Sequence, residues 1–136
     1  LRGFARSRVF SCALAPAVVA GLIKALEIAQ AEPQLREQLW RNVDFMQKRL
    51  RSAGVDVGDS TSQVIPIMIR DDKRIFGIAE ELMHEGVYLN PVRYPAVGKH
   101  RSRFRISISA AHSIDVLEKA AQIITRVLER HDLLCP

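Results

Sequence analysis

The stretch Arg103-Phe104-Arg105-Ile106-Ser107-Ile108-Ser109 alternates between polar and apolar residues without a break. A period of two marks an extended strand, because successive side chains point to opposite faces. Phe104, Ile106 and Ile108 therefore face one way, and Arg103, Arg105, Ser107 and Ser109 the other. A strand of this kind belongs to a sheet with one face packed against other elements and one face open.

The cover for that sheet is legible as helices. Residues from Leu14 to Gln30 are small and apolar on nearly all sides, with Pro16 suited to a first helical turn, which predicts a helix packed on several faces. Pro33 reopens the pattern, and Leu35, Leu39, Val43, Met46 and Leu50 form one apolar stripe ending before Gly54. Val64 to Ile69 reads as a strand, placed at an edge or bulge because Pro66 cannot donate to a ladder. Asp71 or Asp72 caps a following helix with Ile75, Phe76, Ala79, Leu82 and Met83 on its buried face, and Gly86 ends it. Val87-Tyr88-Leu89 is a brief strand leading into a loop from Asn90 to His100. Ser113 caps a last helix with Ile114, Leu117, Ala121, Ile124 and Leu128 inward. The order ααβαββα predicts an α+β fold, with an antiparallel sheet of about three strands covered by helices on one face.

Length and charge narrow the function. One domain fits in 136 residues. Two cysteines, Cys12 and Cys135, lie at opposite ends, a spacing that suits neither a disulfide scaffold nor a zinc module. The longest uncharged run, Val9 to Ile23, is shorter than the ~20 residues of a membrane span. Arg2, Arg6 and Arg8 ahead of that run mimic a signal peptide, but Pro16 interrupts it and the helical pattern continues through Lys24 and Glu27.

Of the twenty Lys and Arg residues, fifteen are Arg, the type suited to forked pairing with carboxylate or phosphate. Arg93, Lys99, His100, Arg101, Arg103 and Arg105 crowd one segment. With Phe104 on the apolar face, no stacking platform for nucleic acid remains there beyond Tyr94. Two readings stay open: a solvated basic surface, or capture of a small anion. Arg105, on the polar face of a regular strand, has the placement for gripping a carboxylate, with Tyr94-Pro95 as a stiff loop beside it.

Four motifs in one order, Phe10-Ser11-Cys12-Ala13-Leu14-Ala15-Pro16, Tyr94-Pro95-Ala96-Val97, Arg103-Phe104-Arg105-Ile106-Ser107 and Ser109-Ala110-Ala111-His112-Ser113, resemble the C-terminal part of the α-oxoamine synthase family. These are pyridoxal-phosphate transferases of fold type I, among them glycine C-acetyltransferase, 8-amino-7-oxononanoate synthase and serine palmitoyltransferase. The resemblance implies the small C-terminal domain of such an enzyme, with residues 1–30 as a linking segment and helix and residues 31–136 as the α/β layer. The catalytic domain with the Schiff-base lysine is expected upstream. The implied reaction joins a small amino acid (glycine, serine or alanine) to an acyl-coenzyme A thioester, with pyridoxal 5'-phosphate as electron sink. The implied setting is a cytoplasmic homodimer, with neither nucleic acid nor an integral membrane segment.

The resemblance also assigns roles. Arg105 matches the arginine that pairs with the amino-acid carboxylate. Ser11 matches the hydroxyl residue that reaches the cofactor phosphate of the neighbouring subunit. Arg93 lies where serine palmitoyltransferases carry a loop arginine that contacts the substrate carboxylate. Ala96 occupies a position where oxononanoate synthases place a substrate-contacting threonine. His112 is read as fixing the turn after the last strand. None of Lys24, Lys48, Lys73, Lys99 and Lys119 is placed to replace the missing lysine, so no catalytic residue is expected in this chain and the chain alone is expected to be inactive. Two further readings remain: a stand-alone interaction module of the same fold, and the C-terminal domain of a fold type I aminotransferase.

Overall fold

In the computed structural model, residues 14–135 are described. Four helices and three strands follow the predicted order: α1 Pro16–Ala31, α2 Pro33–Ser52, β1 Val64–Met68, α3 Ile75–His84, β2 Asn90–Val92, β3 Arg103–Ser107 and α4 Ile114–Arg130. The chain divides into two compact units, with α1 in the first and residues Arg36–Pro136 making the second.

In the first unit Pro16 opens α1 as expected, but none of its residues is buried. The expectation of a helix packed on several faces is therefore not met within this chain. Leu22, Ile23 and Leu26 are each at least half exposed. None of the helices among the described residues is long and apolar enough to cross a membrane.

The second unit is a three-stranded antiparallel sheet in the order β1-β3-β2, so the alternating strand is central. Phe104, Ile106 and Ile108 point into the core and Arg105 and Ser107 away from it, as the period of two requires. Pro66 sits on an edge strand. The ladder is bonded at Ile108 N–H to Gln63 O and at Ile69 N–H to Ser102 O, so alternation leaves the Pro66–Arg105 pair non-hydrogen-bonded. The missing N–H of Pro66 thus lies on the outer edge, where it removes no ladder bond.

The helices bury the stripes that make the core. Val43, Met46 and Leu50 of α2, Ile75, Ile78 and Leu82 of α3, and Leu117, Ala121, Ile124, Val127 and Leu128 of α4 are all buried. Three assignments are corrected. Phe76 and Met83 are about half exposed, because the inward stripe of α3 runs through Ile78. Ile114 and Leu35 are exposed at the ends of their helices. Val87 to Leu89 is irregular, and the strand begins instead at Asn90, where pairing with Arg105 starts.

The termini of the elements follow the expected chemistry. Gly54 ends α2 at φ +78°, with the Val55 N–H donating to Leu50 O. Asp71 Oδ1 accepts the backbone N–H groups of Lys73 and Arg74 just before α3, and the Val116 N–H reaches Ser113 Oγ at the start of α4.

Candidate functional site

The open face of the sheet carries the candidate site. In the row across the three strands, Arg105 on β3 lies between Pro66 on β1 and Asn90 on β2. Neither neighbour is charged, so no acid across the strands neutralises the guanidinium. Among the described residues Arg105 makes no ion pair, unlike Arg49, Arg126 and Arg130, which pair with Glu118, Glu85 and Glu81. A cation fixed on a central strand without a partner is positioned for an external anion.

Around it lies a concave depression of about 1270 Å³, open to solvent, into which Arg51, Arg70, Arg101 and Arg103 also project. Two carboxylates line it, Asp56 and Asp59, and Asp56 is paired with Arg70 at 2.5 Å. Arg103 Nε donates to the Arg101 carbonyl at 3.0 Å, which holds that side chain along the sheet. The depression is therefore strongly electropositive. No lysine lines it, so the described residues supply no amine for a Schiff base there. The arrangement fits recognition of an acid, and not covalent tethering of a carbonyl cofactor by this face.

The other residues singled out in the sequence divide into two groups. Arg93 and Ala96 share one turn, closed by the Ala96 N–H donating to Arg93 O at 2.9 Å. Arg93 packs over the Phe76 ring, 4.8 Å from its centroid, and so partly covers this surface aromatic. Neither Arg93 nor Ala96 lines the depression around Arg105. The Tyr94–Pro95 peptide in this turn is cis, and Lys99 lies over the Tyr94 ring at 5.8 Å. Ser11 and Cys12 lie outside the described residues.

Behind β3 is a buried residue that the pattern of the sequence concealed. Asn42, fully buried on α2, donates from Nδ2 to the carbonyls of Ser109 and His112 at 2.9 Å each and accepts from Gln38 Nε2 at Oδ1. His112 Nδ1 accepts the Ser109 N–H, so the turn leaving β3 is fixed from both sides. Asn42 lies on the inward side of α2 beside Val43 and Met46, and the apolar spacing alone does not mark a polar residue there as buried.

Four carboxylates elsewhere in the unit are held in the charged form by their partners. Hydrogen bonds from Arg130 and then His131 hold Glu81 below the usual glutamate range, and Arg130 with Arg126 does the same to Glu85. Glu118 is lowered by Gln122 and Arg49, and Asp71 by the backbone N–H groups of Arg74 and Lys73. The ion pairs of Glu81 and Glu85 with Arg130 and Arg126 join the end of α3 to α4, and Arg49 with Glu118 joins α2 to α4.

Comparison with known proteins gives the same direction. The family model for aminotransferase class I and II matches residues 1–124. A serine palmitoyltransferase from Sphingobacterium spiritivorum is 37% identical over 133 residues, 98% of this chain and 33% of the relative. The 2-amino-3-ketobutyrate coenzyme A ligase of Escherichia coli K12 is 36% identical over 127 residues, 93% of this chain and 32% of that protein. A solved structure described as SPT with a PLP internal aldimine shares the fold at a TM-score of 0.88 with 24% identity, covering 98% of this chain and 34% of the other. The chain spans about a third of the length of the curated relatives it matches. It belongs to the aminotransferase class I and II family, and its relatives are those of the α-oxoamine synthase group.

Proposed function

We propose that this chain is the small C-terminal domain of an α-oxoamine synthase, a pyridoxal-phosphate-dependent acyltransferase that condenses a small amino acid with an acyl-coenzyme A. The observation that carries this reading is Arg105, an unpaired guanidinium held on the central strand of an otherwise helix-covered sheet. Its role is to take the amino-acid carboxylate through two parallel charge-assisted hydrogen bonds, and so to set the orientation of the bonds at the α-carbon.

Pyridoxal phosphate, when bound, supplies the electron sink for the reaction. With no lysine in the depression, the tethering amine comes from outside this chain, and the chain by itself is inactive. Ser11 serves the cofactor phosphate of the neighbouring subunit in a homodimer. Arg93 and Ala96 belong to a substrate-facing turn, where Arg93 leaves its seat on Phe76 to add a further contact to the same carboxylate. The setting is the cytoplasm.

The test is Arg105→Lys in the full-length protein. Lysine keeps the charge but loses the planar fork, so at most one of two charge-assisted bonds survives. Each such bond contributes roughly 1.5–3 kcal/mol, so affinity for glycine or serine falls about ten- to a hundredfold. Unchanged amino-acid affinity removes Arg105 from the site.

A further inference from the structure

We propose that the cleft between β3 and α4 binds a monocarboxylic acid with an unbranched apolar tail, its carboxylate on Arg105 and its tail against the core. The inference rests on the reading of Arg105 as a carboxylate anchor and goes beyond it in the ligand. A small amino acid has no such tail, and a thioester offers Arg105 no carboxylate, so this ligand is neither substrate of the proposed reaction. Sharing Arg105, the acid and the amino acid exclude one another, which makes the cleft an inhibitory site.

The first support is the cleft itself. It holds about 490 Å³ beside the end of β2, within the range of small-molecule sites. Ile106 and Ile108, Leu117 and Ile124 of α4, and Leu89 line it, and all of them are buried core residues. Protein interiors leave few voids larger than a water molecule, so core side chains that face an open space of this size lack partner atoms on one side. An apolar tail supplies those atoms.

The second support is the local origin of the opening. The β2–β3 register pairs Asn90 with Arg105 and would bring Tyr88 opposite Ser107. Val87 to Leu89 is irregular instead, Tyr88 is exposed, and among the described residues no backbone hydrogen bond joins it to Ser107. β3 therefore runs past the end of β2 with its edge uncovered, and the cleft opens there. The α4 residue Ala120 lines it and is too small to fill it.

The polar groups select the head of the ligand. Among the described residues, Arg105, Asn90 and Ser107 alone line both this cleft and the electropositive depression on the open face. The guanidinium thus stands where a charged region meets an apolar one. His112 also lines the cleft, and its Nδ1 accepts the Ser109 N–H, which leaves the hydrogen of the neutral ring on Nε2 as a further donor. Neither Asp nor Glu is in the lining. A compact or polyvalent anion would lose hydration against the apolar walls and gain nothing from them, so the walls favour a single carboxylate that carries a tail.

The cleft lies within the compact unit Arg36–Pro136, so the 136-residue chain serves beside the full-length protein. Titration calorimetry with acetate, butanoate, hexanoate, octanoate and octanamide reads head and tail separately. Affinity is expected to rise about tenfold for every two methylenes added, and octanamide to bind about tenfold more weakly than octanoate. Ala120→Leu fills the cleft, and Val116→Trp covers its mouth from an exposed position where no core repacks. Each is expected to weaken octanoate about tenfold and to leave acetate unchanged. Octanoate binding no tighter than acetate, or resisting both variants, overturns the proposal. Octanamide as tight as octanoate, or serine and octanoate bound together by the full-length protein, overturns the placing of the head on Arg105. Octanoate held by the 136-residue chain and not by the full-length protein shows the cleft filled by another part of the polypeptide, and overturns the proposal as well. None of these results removes amino-acid capture by Arg105, which is read from serine affinity in Arg105→Lys.

Discussion

Pro66 lies directly opposite Arg105 in the β1–β3 ladder, at a non-hydrogen-bonded pair. In such pairs the facing Cβ atoms are about 4.5–5.5 Å apart, so whatever stands at position 66 is a close neighbour of the guanidinium. Proline is a suitable occupant, since it has no charge to capture Arg105 and its absent N–H falls on the outer edge.

Pro66→Glu is therefore expected to pair with Arg105 and compete with an incoming carboxylate. In the full-length protein, amino-acid affinity should fall about tenfold, one charge-assisted bond's worth. Pro66→Gln, of the same shape but uncharged, should lose much less. Equilibrium binding of serine to the two variants separates the outcomes, and equal losses would show that position 66 acts through packing.

Asn42→Ala should be among the most destabilising substitutions of a polar residue in this chain. It leaves the carbonyls of Ser109 and His112 without their donor in a partly buried setting. Each unsatisfied buried group costs about 1–3 kcal/mol, so a loss of about 2–4 kcal/mol is expected in urea unfolding. A loss under 1 kcal/mol would mean that water replaces the amide.

The two glycines that end α2 and α3 should respond differently to alanine. Both have positive φ, +78° at Gly54 and +93° at Gly86, so each substitution strains the backbone by about 1 kcal/mol. A Cβ at Gly54 would also stand 2.6 Å from the Cys135 carbonyl oxygen, whereas at Gly86 nothing lies within 4 Å. Gly54→Ala should therefore unfold at clearly lower urea than Gly86→Ala. Equal midpoints would show that the C-terminal segment shifts without cost.

Acid should loosen the contact between α3 and α4 as Glu81 and Glu85 take up protons. Glu81 and Glu85 have folded values below their unfolded ones, so their contribution is complete above the ordinary glutamate value of about 4.3 and is lost as pH falls through the lowered values. Glu81→Gln should flatten the decline in unfolding midpoint below that pH. An unchanged slope would assign acid lability to other carboxylates.

Much of this architecture was legible from two periods. The alternation of residues 103–109 located the central strand and its open face, and the stripe from Val43 to Leu50 located the helix beneath it. Proline at 66 marked an edge because it lacks a donor. The misreadings have a common physical cause, since periodicity shows which residues share a face but not how far the face is covered. Phe76 has the right spacing for burial yet lies under Arg93 at the surface, and α1 is apolar all round yet buries none of its residues. The place of Arg105 on the open face was legible because strand geometry fixes where its side chain goes. Arg93 sits on a turn whose direction no period encodes, and the support from Asn42 depends on contacts with residues far along the chain.

The most direct test pairs Arg105→Lys with loss of the ligand's own carboxylate. Affinities of the full-length protein for serine and for serinamide, measured for wild type and variant, give a coupling between guanidinium and carboxylate. If Arg105 grips the carboxylate, the amide binds wild type about ten- to a hundredfold more weakly than serine, and that difference largely disappears in Arg105→Lys. If the amide penalty is the same in both proteins, Arg105 does not touch the carboxylate and is part of a solvated basic face.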